Sequence, residues 1–231
     1  MVSTIAEPGA EPGAELGAEL GTDEFTPAFA AALRTLFILR RDVRHFRRDP
    51  LPGGMITRLL GVACLAPSVG FSQPWRFVIV EDPARRAAVR ANFLACNLEA
   101  QRQYAGDRAA RYARLKLAGL DDAPCQIAVF AEADPATGHG LGRQTMGETV
   151  AYSVVMAIHT LWLALRAEGV GLGWVSILDP AAITAALDVP AGWRFIGYLC
   201  IGYPQETHAS PELEREGWEQ RVSHEAVILR R

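Results

Sequence analysis

The chain has 231 residues, half of them hydrophobic and 21% charged, with a formal net charge of −3. That length supports one large domain or two small ones around a sizeable core. The slight acidity gives no electrostatic ground for binding nucleic acid or an anionic membrane surface.

Residues 6–21 repeat AEPG and then AELG. Glycine and proline break helices, the glutamates repel one another, and almost nothing apolar can be buried, so residues 1–22 read as a disordered acidic tail. Folding is expected to begin at Thr22 or Asp23, an N-cap for the helix "EFTPAFAAALRTLFILRR". That helix carries Phe29, Leu33 and Phe37 on one stripe, and Arg41 continues it. "GGMITRLLGVACLA" has helical spacing, and "APSVGFSQPW" breaks it with prolines and glycine. "WRFVIVED" and "CQIAVFAEAD" read as strands, separated by one or two charged, alanine-rich helices over residues 83–118. "ADPATGHGLGRQTMG" is a long glycine-bearing loop of the kind that carries function or moves.

Residues 148–168 are apolar nearly all round, which predicts a helix buried in a core or against a partner subunit. Its apolar stretch, residues 150–165, is short for a bilayer and contains His159. With no basic, apolar leader at the N-terminus either, a cytoplasmic location is expected. "GLGWVSILD" and "RFIGYLCIGYP" supply two more strands, and an extended arm follows from Pro204. Four strands and five or six helices make a mixed α/β or α+β domain, with residues 23–231 expected to form it alone. The four cysteines are scattered without a CxxC pair and read as buried small hydrophobes. Five scattered histidines show no zinc-binding spacing, so no metal site is assigned.

Three segments can carry chemistry. Six arginines fall between Arg34 and Arg48, and an arginine on an apolar stripe needs a partner. A salt-bridged helix end around Asp42 and a phosphate site both satisfy that need, since guanidinium forks match phosphate geometry. The turn Ala66–Trp75 offers hydroxyls, an amide and free N–H groups suited to a flat heteroaromatic edge. A plain helix-to-strand connector explains it equally well. "EGVGLGWVSI" has glycines that allow close backbone approach to a ligand, but it lacks GK[ST] and precedes a strand, so neither a Walker A loop nor a Rossmann turn fits. Ser176 then falls inside the predicted strand.

Taken in order, "RRDVRHF", "APSVGFSQPWRFVIV", "LWLALRAEGVGLGWVSI" and "GWEQR" resemble the nitroreductase-like flavoprotein superfamily, most nearly its 5,6-dimethylbenzimidazole synthase branch. The likeness runs from about Phe25 to near the C-terminus. It implies an α+β fold, a central mixed or antiparallel sheet flanked by helices, in an intertwined homodimer with FMN at the interface. By the same resemblance Arg40, Arg41, Arg44 and Arg221 would hold the FMN phosphate and ribityl chain. Ser68, Gly70 and Gln73 would lie against the ring, from the partner subunit in one arrangement. The backbone of Gly173, Trp174 and Val175 would face its N5 edge. Asp42 and Ser176 mark the synthase branch and would be catalytic.

The implied reaction consumes reduced FMN with O2. The ribityl chain is cleaved, its first carbon becomes C2 of the product, and a tetrose phosphate leaves. A separate flavin reductase would supply reduced FMN. Asp42, between Arg41 and Arg44, is expected to have a lowered pKa, and residues 101–112 to form a lid. Two positions depart from the branch pattern, Gly147 where relatives carry proline and Cys64 where many carry histidine. The alternatives are an NAD(P)H-dependent nitro or quinone reductase that keeps its flavin, and a flavin-storage protein without turnover.

Overall fold

The computed structural model describes residues 25–115 and 118–231; the tail expected over residues 1–22 lies outside them. Contacts divide the chain into two units, residues 1–35 and 36–231. The first described helix, α1 (Pro27–Leu39), spans that division and buries none of its residues. The sequence points to a buried stripe continuing into Arg41, whereas the helix stops at Leu39 and Arg41 lies beyond it.

The larger unit is built on four antiparallel strands, β1 (Trp75–Ile79), β2 (Cys125–Glu132), β3 (Gly171–Val175) and β4 (Trp193–Gly202), in the order β1-β2-β4-β3. All four are legible in the sequence as apolar, β-branched or aromatic runs. Alternation sends Ile127, Val129, Ala131, Leu199 and Ile201 to one face of the sheet. Ala128, Phe130, Tyr198 and Cys200 go to the other, as the period of two requires. A register shift at Val129/Phe130 interrupts the β2–β4 ladder.

The first face is covered by α2 (Met55–Ala63) and α6 (Thr149–Ala167). α6 buries Val150, Ser153, Val154, Ala157, Ile158, Leu161 and Leu165, but leaves Tyr152, Val155 and Met156 exposed. It is therefore half core and half uncovered apolar surface within one chain. At 19 residues it is long and apolar enough to cross a membrane by length and composition alone, which its shorter apolar stretch does not suggest; its buried side packs on the sheet.

The second face is covered by α3 (Pro83–Gln101), α5 (Gly119–Asp122) and α7 (Pro180–Leu187). α3 and α7 start alike. Asp82 and Asp179 accept hydrogen bonds from Ala84 N and Ala181 N, both at 2.9 Å or less, with proline as the next residue. That pairing of N-cap and fixed φ is a helix-start signal. The remaining helices, α4 (Gly106–Arg114) and the four-residue α8 (Glu212–Arg215), lie outside this layer.

On the second face the Tyr198 hydroxyl donates to Gln126 Oε1 at 2.8 Å, and Gln126 Nε2 donates to Leu120 O at 3.0 Å. Both residues are buried. Tyr198→Phe would leave the Gln126 oxygen unpaired, so a loss of about 1–3 kcal/mol in urea denaturation is the expected result. Of the four cysteines only Cys200 is buried; Cys64 is exposed and the other two are half-buried. The expectation of four buried thiols is corrected on that point.

Candidate functional site

Beyond α1 the chain runs against the free edge of β3. Asp42 forms a parallel bridge with Leu172, and Val43 N donates to Leu172 O at 3.0 Å. The approach is close enough that a Cβ built on Gly173 would lie 2.1 Å from the Val43 carbonyl oxygen. The "RRDVR" and "GLGWV" segments, 130 residues apart in sequence, thus dock on each other. The close approach that the glycines permit is to this backbone.

Asp42 Oδ1 accepts from Trp174 N at 2.9 Å, and its Oδ2 lies 3.6 Å from Arg44 Nε. Arg44 in turn lies 3.9 Å from Glu212 Oε1, with only 12% of its side chain exposed. Contrary to the sequence expectation, the Asp42 carboxyl is raised above its ordinary pKa. Burial is the largest cause and Glu212 adds to it, against the Trp174 N–H and Arg44, which favour the ionised form. Although 41% of the Asp42 side chain is accessible, that access comes from a cleft, and a cleft-lining group meets water on one side and protein on the others. The cleft has a volume of about 310 Å³, and its lining includes Arg41, Asp42, Arg44, His208, Glu212 and Arg215.

Arg41 is held by backbone carbonyls. Its Nε donates to Ala209 O at 3.1 Å and its Nη1 to Arg40 O at 2.7 Å, while its Nη2 reaches Ile38 O. Its pKa is lowered by burial first, and then by the charges of Arg40 and Arg221. Arg221, 180 residues downstream and exposed, is therefore brought near Arg41. Arg40 stacks 4.8 Å above the Trp162 ring, whose Nε1 donates to Arg41 O at 3.1 Å. Among these arginines the carboxylate acting on Arg41 is Glu214, the weakest of the influences on it. Clustered guanidiniums with so little counter-charge suit an anion such as a phosphate.

Ser68, Gly70 and Gln73 form a second group. Ser68 Oγ accepts from Gln73 N at 3.0 Å, and Val69 N donates to Ser153 Oγ near the start of α6 at 3.0 Å. Gly70 has φ +56°, and a Cβ there would meet Leu141 O at 2.5 Å, so the long glycine-bearing loop seats against this turn. Ser72, beside them, is buried and its hydroxyl finds no hydrogen-bond partner among the described residues. This turn leads into β1, whereas Asp42 bridges to β3 at the opposite edge. With strands ~4.8 Å apart, the two groups are separated by at least roughly 14 Å across the sheet. One chain brings the arginines, Asp42 and the β3 backbone together and leaves the serine–glutamine turn apart. Ser176, expected inside a strand, is exposed just after β3 ends at Val175.

Several cleft residues have no signal in the sequence. Gln205, His208, Glu212 and Arg215 follow a backbone pairing of residues 45–47 with residues 203–205, a contact between irregular segments that no periodicity marks. The segment after Glu212 also meets α4. Tyr104 and Tyr112 stack at 4.9 Å, Trp218 packs edge-on to Tyr104 at 5.3 Å, Arg108 lies 5.6 Å over the Trp218 ring and Arg114 lies 3.8 Å from Glu216.

An antiparallel sheet with one long helix across it thus carries, at the free edge of β3, a docked arginine–aspartate segment and a cleft lined by arginines and carboxylates. The chain belongs to the nitroreductase family, which matches residues 39–203. Within it, the chain is 58% identical to the 5,6-dimethylbenzimidazole synthase of Rhodospirillum rubrum over 201 residues, covering 87% of this chain and 95% of the relative. A 5,6-dimethylbenzimidazole synthase of Rhodobacter capsulatus is 52% identical, covering 84% and 94%. Among solved structures, an iodotyrosine deiodinase bound to FMN and 3-iodo-L-tyrosine superposes with a TM-score of 0.64 at 26% identity, over 76% of this chain and 91% of that one. A nitroreductase family protein of Clostridium difficile superposes at 0.61 with 19% identity, over 84% and 95%, a likeness of fold alone.

Proposed function

We propose that the protein is an FMN-consuming enzyme that converts reduced FMN and O2 into 5,6-dimethylbenzimidazole, the lower ligand of vitamin B12. The observation that carries the reading is Asp42, held against β3 by the Trp174 N–H and Arg44 in a cleft beside clustered arginines. Identities of 48–58% to relatives of that name, over most of both chains, support it. In this reading bound reduced FMN supplies both the reducing electrons and the carbon skeleton of the product.

Arg40, Arg41, Arg44 and Arg221 hold the phosphate and ribityl end, while Gly173, Trp174 and Val175 present the β3 edge to the ring. Ser68, Gly70 and Gln73 of a second copy complete the ring pocket, because their own chain holds them at the far edge of the sheet. The uncovered apolar side chains of α6 and the exposed Phe37 and Ile38 give that second copy a surface to cover. Asp42 accepts a proton from the ribityl chain, and Ser176, at the mouth of β3, positions the flavin edge or relays a proton. The α4 region, seated on Trp218, serves as the lid that excludes water. The reaction belongs in the cytoplasm, with reduced FMN supplied by a separate flavin reductase.

Anaerobically reduced FMN mixed with the protein and then exposed to air is expected to yield dimethylbenzimidazole, read by chromatography. Recovery of only oxidised FMN and peroxide would overturn the assignment. Rapid bleaching of bound FMN by NADPH alone would instead identify a nitro or quinone reductase.

A further inference from the structure

A carboxylate in a cleft built for an anion works against affinity, yet Glu212 lines this one with only 20% of its side chain exposed. It opens the four-residue helix α8, and its Oε1 lies 3.9 Å from Arg44 Nη1. The same guanidinium presents its Nε to Asp42 Oδ2 at 3.6 Å. Two carboxylates therefore share one arginine that is almost fully covered. Neither contact is short, as expected when one cation is divided between two anions.

We infer that Glu212 is a positioning residue for Asp42, acting through the guanidinium of Arg44 that both carboxylates hold. The inference rests on the reading of Asp42 as a catalytic base and names a residue that tunes it. Glu212 does so in two ways. It draws Arg44 partly away from Asp42, and it places a second negative charge beside the carboxyl. Both raise the proton affinity of Asp42, in keeping with the direction of its shift. A base is more effective when its pKa is brought nearer the working pH, so Glu212 makes Asp42 a stronger base than Arg44 alone would leave it.

Other groups face the same carboxyl. Its own segment carries Arg41, Arg44 and His45, and residues 205–215 present Glu206, His208 and Arg215 to the cleft besides Glu212. Behind it the buried Cys200 thiol senses the Asp42 charge. Among them Glu206 is paired with His208 at 2.8 Å, and Glu212 is the carboxylate that engages Arg44.

The test is a carbon-13 titration of the aspartate carboxyls in ligand-free protein, with Asp42 assigned by the signal lost in Asp42→Asn. In Glu212→Gln the Asp42 midpoint is expected to move to lower pH, and in Glu212→Asp, which keeps the charge, to return toward the wild-type value. The acid limb of the product-formation rate should shift the same way, with FMN bound as tightly as before or tighter. An Asp42 midpoint in Glu212→Gln unchanged from wild type overturns the inference. If Asp42→Asn is inactive and the Glu212→Gln midpoint stays put, only the role of Glu212 falls. If Asp42→Asn retains the wild-type product yield, the reading of Asp42 falls and takes this inference with it.

Discussion

Asp42→Asn is expected to bind FMN within a few-fold of wild type while forming dimethylbenzimidazole at least ~100-fold more slowly, the scale of a lost general base. Binding survives because the substituted amide's oxygen still accepts from Trp174 N, so the docked segment keeps its bridge to β3. Of the arginines only Arg44 loses a partner, since Asp42 Oδ2 lies beside its Nε, and it keeps Glu212. Proton transfer is lost because a neutral amide cannot take a proton. Fluorescence quenching of FMN gives the affinity and a single-turnover product assay gives the rate. Weak binding together with slow chemistry would show that Asp42 is structural.

The same variant carries a stability signature of known sign. Folded Asp42 holds its proton more tightly than the unfolded chain, where it titrates near 3.8. Its favourable contribution is complete below that value and is lost as pH rises through the higher folded pKa. The amide introduced by Asp42→Asn has no such dependence, and Arg44 keeps Glu212 as a partner. The variant should thus be at least as stable as wild type in urea at neutral pH, with the difference closing under acid. Residues retained against stability in this way are usually functional.

The contrast between local and non-local information accounts for what the sequence could show. β1 to β4 announce themselves as apolar runs bounded by turns, and α6 as an apolar stretch of helical length. α7 has equally local signals, Asp179 and Pro180 at its start, yet its run "PAAITAAL" is too short and alanine-rich to show a clear stripe. The arginine–aspartate segment is legible as chemistry but not as structure. Its bridge to Leu172 is a single parallel pairing 130 residues away, and the cleft wall from Gln205 to Arg215 arrives by irregular chain. The lowered pKa expected for Asp42 comes from counting neighbouring arginines along the chain. In three dimensions Arg41 turns to backbone carbonyls and Arg44 is divided with Glu212, so burial wins.

Gly173→Ala tests whether that docking holds the site together. The added methyl would fall 2.1 Å from the Val43 carbonyl oxygen, a backbone atom that can give way only if the whole segment shifts. Shifting it breaks Val43 N to Leu172 O and Trp174 N to Asp42 Oδ1, so one small change moves Asp42 and tugs on Arg41 and Arg44. Overpacking of this kind costs about 1–3 kcal/mol and occasionally more, and FMN affinity should fall by on the order of tenfold or more, since misplacement by ~1 Å can cost roughly 100-fold in function. Two further alanines set the scale. At Gly171 the clash is with the Val43 side chain at 2.7 Å, where partial adjustment is open, and at Gly192 a methyl meets nothing within 4 Å. The expected order of damage in both urea midpoint and FMN affinity is Gly173 first, Gly171 next and Gly192 not at all. Equal behaviour of Gly173→Ala and Gly192→Ala would mean that the arginine–aspartate segment is not seated on β3 in the working enzyme.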